Sequence, residues 1–138
     1  MDNHIRGGYS WSTNQYKNEN EDDYAYQSVG GTAEGMNTGK QNTMRILKKY
    51  PAELYPNSAA AVARAYQRDG YKDWFLPSKE EMMKLYRNKS AVGGFSDYVY
   101  YWSSTDFSAY NAWIQYFING IQYYFNKNYI LCVRAFIY

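Results

Sequence analysis

Residues 98–138 read YVYYWSSTDFSAYNAWIQYFINGIQYYFNKNYILCVRAFIY, and this segment holds half of the chain's 18 tyrosines. Within it, residues 112–119 (AWIQYFIN) alternate two sets of side chains. Successive side chains of an extended strand point to opposite faces. Trp113, Gln115 and Phe117 therefore share one face, and Ile114, Tyr116 and Ile118 the other. A half-buried strand sets an apolar face against a polar one; here both are largely apolar. Either both faces are buried, or one is a display surface. Strand-prone residues on either side are broken by turn candidates at residues 103–106, 119–120 and 126–128. Asn119-Gly120 between two aromatic runs is the strongest hairpin signal.

Ahead of this segment the signals are helical. Residues 41–50 place Met44, Ile46 and Leu47 on one side and Arg45, Lys48 and Lys49 on the other, with Pro51 as a stop. Residues 58–68 are alanine-rich, with Gly70 as a C-terminal stop. Ser78-Lys79-Glu80-Glu81 forms a capping box, followed by a buried face of Met82, Leu85 and Tyr86 and an end near Asn88. Residues 1–39 are polar and glycine-rich, with short strands expected near residues 9–12 and 24–29. Helices first and an antiparallel sheet after make an α+β plan: two to three helices packed on small antiparallel sheets.

At 138 residues the chain fits one domain, 1–138. It is 46% hydrophobic and 20% charged, which is globular rather than disordered. Its 20% aromatic content, mostly tyrosine, suits half-wet surfaces. A formal charge of +2 with no basic stripe argues against a nucleic-acid partner. The opening MDNHIRGGYS lacks the apolar run of a signal peptide, and no stretch is long enough to insert in a bilayer. A soluble chain is expected, compatible with display on a phage particle or cell surface.

Catalytic and metal chemistry have little to stand on. His4 is the only histidine and lies near a terminus expected to be mobile. Cys132 is the only cysteine, in an apolar run that suits a small hydrophobe better than a nucleophile. The carboxylate pairs Asp22-Asp23 and Glu80-Glu81 read as solvent-facing. The acidic run at residues 19–23 lacks the alternating ligand order of a calcium loop. Gly35–Lys40 misses phosphate-loop spacing, and Gln41 replaces the Ser/Thr. No enzyme, cofactor or metal is expected.

The pieces Asp73-Trp74-Phe75-Leu76-Pro77, Trp102-Ser103-Ser104-Thr105, Ala112-Trp113, Phe117, Gly120 and Val133-Arg134-Ala135-Phe136 together resemble bacterial and phage domains with a C-type-lectin-like fold of the formylglycine-generating-enzyme type. Among these the chain is most similar to the variable proteins of diversity-generating retroelements, over about residues 31–136. In that family a mutagenic reverse transcriptase rewrites adenines in the C-terminal coding segment. The resemblance implies a non-catalytic binding domain that meets varied protein or cell-surface ligands, with a variable region at about 107–132. The ligand-binding residues it implies are Phe107, Tyr110, Ile114, Tyr116, Ile118, Ile121, Tyr123, Tyr124, Phe125, Tyr129, Ile130 and Leu131. Trp113 and Phe117 would face the core, Trp74 and Trp102 would be scaffold, and Arg134 would tie down the last strand. Calcium-lectin loop motifs and the oxidase's cysteine pair are both missing from the chain.

Mutated AAC or AAT codons cannot encode Lys, Gln, Glu, Met or Trp. The candidate variable positions, which add Asn126, Asn128 and Cys132 to those from Ile114 onward, carry none of these types. The forbidden types fall between them, at Trp113, Gln115, Gln122 and Lys127. The alternative reading is structural: the same apolar face buried against a sister subunit in a homo-oligomer, tail or surface appendage. A further alternative is a fold-related oxidase using Cys132.

Overall fold

The computed structural model describes residues 4–12, 29, 32–68, 70–93 and 98–137, with side chains from residue 8 onward. The acidic run at 19–23 and residues 24–28 of the second expected strand lie outside the described residues. In chain order the elements are β1 (His4–Tyr9), α1 (Gly39–Lys49), α2 (Ala59–Ala65), α3 (Lys79–Arg87), α4 (Lys89–Val92), β2 (Tyr100–Asp106), β3 (Asn111–Tyr116), β4 (Gln122–Asn126) and β5 (Leu131–Arg134). The architecture is mixed α and β. The strands form one five-stranded sheet, ordered β1-β5-β2-β3-β4.

The sheet is antiparallel except where β2 and β5 run parallel, with Tyr101 opposite Cys132. This parallel pair departs from the all-antiparallel expectation. It arises because β1 and the last strand pair side by side, which moves β5 in between β1 and β2. His4 is therefore not in a loose terminus: it sits in β1, opposite Arg134.

Helices cover both faces of the sheet. On one side, Ile46 of α1 and Ala59, Ala60 and Ala63 of α2 pack with Trp11, Trp74, Trp102, Ile114 and Val133. On the other, Met82 and Leu85 of α3 pack with Tyr101 and Phe117. Burial of this apolar area is the main driving force available to such a fold. It also answers the question posed by the doubled apolar face of residues 112–119. In its middle, β3 is covered on both sides: Ile114 is 1% exposed and Gln115 is 0% exposed.

Local chemistry sets the helix ends. Ser78 accepts a hydrogen bond from the Glu81 amide while Glu81 Oε1 accepts from the Ser78 amide at 2.9 Å, completing the capping box. The same Glu81 oxygen accepts from the Gly39 amide, 2.9 Å away, at the start of α1. Glu81 is thus buried rather than solvent-facing, held by two backbone donors at a helix N-terminus. A Cβ at Gly39 would lie 2.9 Å from the Leu76 carbonyl oxygen and collide with Glu81 itself. α1 starts earlier than its periodicity suggests, and Met44 is exposed because Asn42, Thr43 and Ile46 take the inner face. α2 begins at a Ser58 cap and ends before Tyr66, well short of Gly70.

Residues 103–106, expected as a turn, belong instead to β2, and 103–105 are buried. The register with β3 shifts there, between Trp102 and Asp106. Each of the hydroxyls of residues 103–105 finds a hydrogen-bond partner. Ser103 Oγ donates to the Trp113 carbonyl at 2.8 Å, and Thr105 Oγ1 donates to Ala33 while accepting from the Lys79 amide. Asn42 Nδ2 donates to Ser104 Oγ. Short hydroxyl side chains at a bulge give the buried Trp-Ser-Ser-Thr run its polar satisfaction.

Candidate functional site: an aromatic surface along the edge strand

The β3–β4 hairpin turns through residues 117–120, with Gly120 at φ 77°. Only a residue without Cβ fits here, since the Tyr86 ring lies against the Gly120 backbone. The hairpin leaves β4 on the outside of the sheet. Its register places Tyr124 opposite Trp113, Tyr123 opposite Ile114 and Phe125 opposite Ala112.

From that register a continuous set of rings follows. Phe107 stacks on Tyr124 with centroids 4.1 Å apart, and Tyr124 stacks on Tyr123 at 4.8 Å. Trp113 meets both Phe107 and Tyr124 edge-on. Phe125 joins Tyr123 to Tyr129 and to Tyr100, and Tyr100 stacks on Tyr116 at 4.5 Å. Lys79 Nζ sits 3.7 Å over the Trp113 ring and closes one end of the row. Stacked rings lose little side-chain entropy on binding and offer wide apolar area with polar tips.

The structure separates the expected site residues. Phe107, Tyr110, Ile118, Ile121, Tyr123, Tyr129 and Ile130 are all exposed large hydrophobics. Tyr116, Tyr124, Phe125 and Leu131 are half-buried at its base. Ile114 is a correction: it belongs to the core with Trp102 and Val133, because α1 and α2 close over that face of β3. The exposed aromatic surface is therefore not the second face of β3. It lies on β4 and the two turns that flank it.

The intervening residues hold this surface in place. Gln115 and Phe117 are wholly buried. Gln122 Nε2 donates to the Lys79 carbonyl at 2.6 Å. Lys127, wholly buried, pairs with Asp106 at 3.4 Å beneath the β4–β5 turn and sits 4.3 Å from the Trp11 ring centre. Burial lowers the Lys127 pKa from its ordinary value, and the Asp106 carboxylate partly offsets the shift. Trp113 is half-buried against Lys79 and the aromatic row rather than in the core. Trp74 and Trp102 are scaffold aromatics, 2% and 0% exposed. Arg134 donates to the Gly93 carbonyl at 2.8 Å and so fastens β5 to the end of α4.

Sequence reasoning missed Tyr100, Trp113 and Lys79 as members of the site. Tyr100 is placed only by its register opposite Tyr116, and Lys79 by the α3 N-terminus meeting β3, neither of which a local pattern encodes. Cys132 is half-buried beside Tyr101 and Phe117, and burial raises its thiol pKa, which disfavours a thiolate. Among the described residues, no group of three or more His, Cys, Asp and Glu side chains could hold a metal ion, and no helix is long and apolar enough to cross a membrane. Compared with known proteins, the chain matches no family model and no curated sequence.

Proposed function

We propose that the chain is a non-catalytic binding domain with a C-type-lectin-like fold, diversified by a retroelement along the β4 surface to meet varied protein or cell-surface ligands. One observation carries this reading. Of the candidate positions compatible with mutated asparagine codons, all but Ile114 reach solvent at least in part. Of the incompatible residues, Gln115 and Lys127 are fully buried, while Trp113 and Gln122 are held half-buried by ring and backbone contacts. Half-buried positions occur in both sets, so the contrast rests on Gln115 and Lys127, which are buried, against the exposed Ile118, Ile121, Tyr123, Asn128, Tyr129 and Ile130.

The row of rings supplies the affinity. A fully desolvated large side chain contributes about 1.5–3 kcal/mol, so two or three anchors suffice for a useful complex. The reading is tested in the gene's surroundings. A near-copy of its 3′ end beside a reverse transcriptase gene, differing only at adenines, is the expected result. Differences at bases that are not adenine in that copy would overturn it.

A further inference from the structure

Among the described residues, nothing pairs with the outer side of β4. The Tyr116 amide donates to the Ile121 carbonyl at 2.9 Å, and the Lys127 amide donates to Tyr110 at 2.8 Å. Antiparallel ladders alternate bonded and non-bonded pairs, so Ile121, Tyr123, Phe125 and Lys127 turn their backbone groups toward β3. The N–H and C=O groups of Gln122 and Tyr124 then point away from the sheet, and no described residue pairs with them. At the far end, the Asn126 carbonyl is closed off by the Tyr129 amide at 3.0 Å. Edge strands are normally blunted by charge, proline or a bulge. β1, at the opposite edge, has an irregular register between Ile5 and Tyr9. β4, reading Gln-Tyr-Tyr-Phe-Asn, has none of these protections.

Beside this edge, on the α3 face, lies a cleft of about 590 Å³ that reaches Gln122. Its walls carry Lys79, Lys84 and Arg87 against Glu34 and Glu80. Lys79 is engaged with Glu34 at 3.3 Å. Lys84 and Arg87 are exposed and make no ion pair among the described residues.

We propose that β4 takes its ligand as an added strand: an extended segment of a partner protein carrying acidic side chains at alternate positions. Residues of such a strand opposite Gln122 and Tyr124 share their face of the sheet, which directs side chains into the cleft toward Lys84 and Arg87. The alternate side chains fall on the Tyr123 and Phe125 face. Backbone pairing supplies affinity that does not depend on which side chains β4 carries, and the side chains supply selectivity. This deepens the binding reading above and rests on it.

The test uses the full chain and three acetylated heptapeptides: alternating Glu-Val, alternating Lys-Val, and the Glu-Val peptide N-methylated at every second residue. Amide hydrogen exchange at Gln122 and Tyr124 is followed by NMR. The Glu-Val peptide should slow both amides tenfold or more, and the other two peptides should not. Charge reversal at Lys84→Glu with Arg87→Glu, on exposed helix positions, should weaken Glu-Val binding tenfold or more. Unprotected amides at saturating Glu-Val peptide, or equal protection by the Lys-Val peptide, would overturn the proposal. So would amides that become protected without peptide as protein concentration rises, since β4 would then be pairing with a second copy. Unprotected amides beside a diversified gene sink strand addition alone; a gene with no adenine-variant copy sinks the reading beneath it.

Discussion

Lys127 and Asp106 form a sealed ion pair, 3.4 Å from Nζ to Oδ2, that joins the turn after β4 to the end of β2. Asp106 also accepts from the Val29 amide and the Thr32 hydroxyl, so the carboxylate collects donors from three parts of the chain. The pair fixes the backbone of a turn whose other side chains face solvent.

Removing one member of a buried pair strands the other. Lys127→Met should destabilise the fold by about 3 kcal/mol, read by urea unfolding. Adding Asp106→Asn to that variant should recover part of the loss, because the uncompensated charge disappears.

The pair also gives a pH signature. With its pKa lowered on folding, Lys127 loses its proton earlier in the folded protein than in the unfolded chain, which titrates near its ordinary 10.5. Between those two points the unfolded state binds more protons, so this residue's contribution to stability rises with pH. Other lysines and tyrosines titrate there too, so the measurement is the difference between wild type and Lys127→Met. That difference should shift in favour of wild type as pH climbs toward 10.5.

Ile114, inside β3, and Ile118, in the turn that follows it, carry the same side chain and should behave oppositely. Ile114→Ala removes packing beside Trp102 and Val133 and should cost about 2–5 kcal/mol. Ile118, 42% exposed, should change by about 0.5 kcal/mol or less on the same replacement. Thermal unfolding of the two single variants decides it.

Gly120→Ala should destabilise by about 1–3 kcal/mol. The residue sits at φ 77°, and a Cβ there would come 2.9 Å from the Tyr86 Cζ. Tyr86→Ala in the same chain should relieve only the steric share, leaving the conformational cost.

Much of the fold was legible because its signals are local. The Ser78–Glu81 box and the Asn119-Gly120 hairpin each declare themselves within a few residues, while Trp74 and Trp102 as scaffold follow from the family resemblance. What stayed hidden depends on partners far away in sequence. Residues 103–106 look like a turn because small polar residues suit turns, and only distant partners, among them the Ala33 carbonyl and the Lys79 amide at the N-terminus of α3, reveal them as strand. Glu81 looks solvent-facing until Gly39 of α1 is brought against it. Ile114 alternates with Trp113 as any display residue would; α1 and α2, more than 40 residues earlier, decide that its face is core.

In the proposed binding domain the exposed side chains around β4 are interchangeable, while the buried ones between them hold the fold. Thermal unfolding of one combined variant is the measurement: Ile118, Ile121, Tyr123, Tyr129 and Ile130 all replaced by Asn, compared with Gln115→Asn and Lys127→Asn singly. The combined variant should melt within about 5 °C of wild type, with each single variant losing more. A combined variant that unfolds, beside single variants that do not, would contradict the claim.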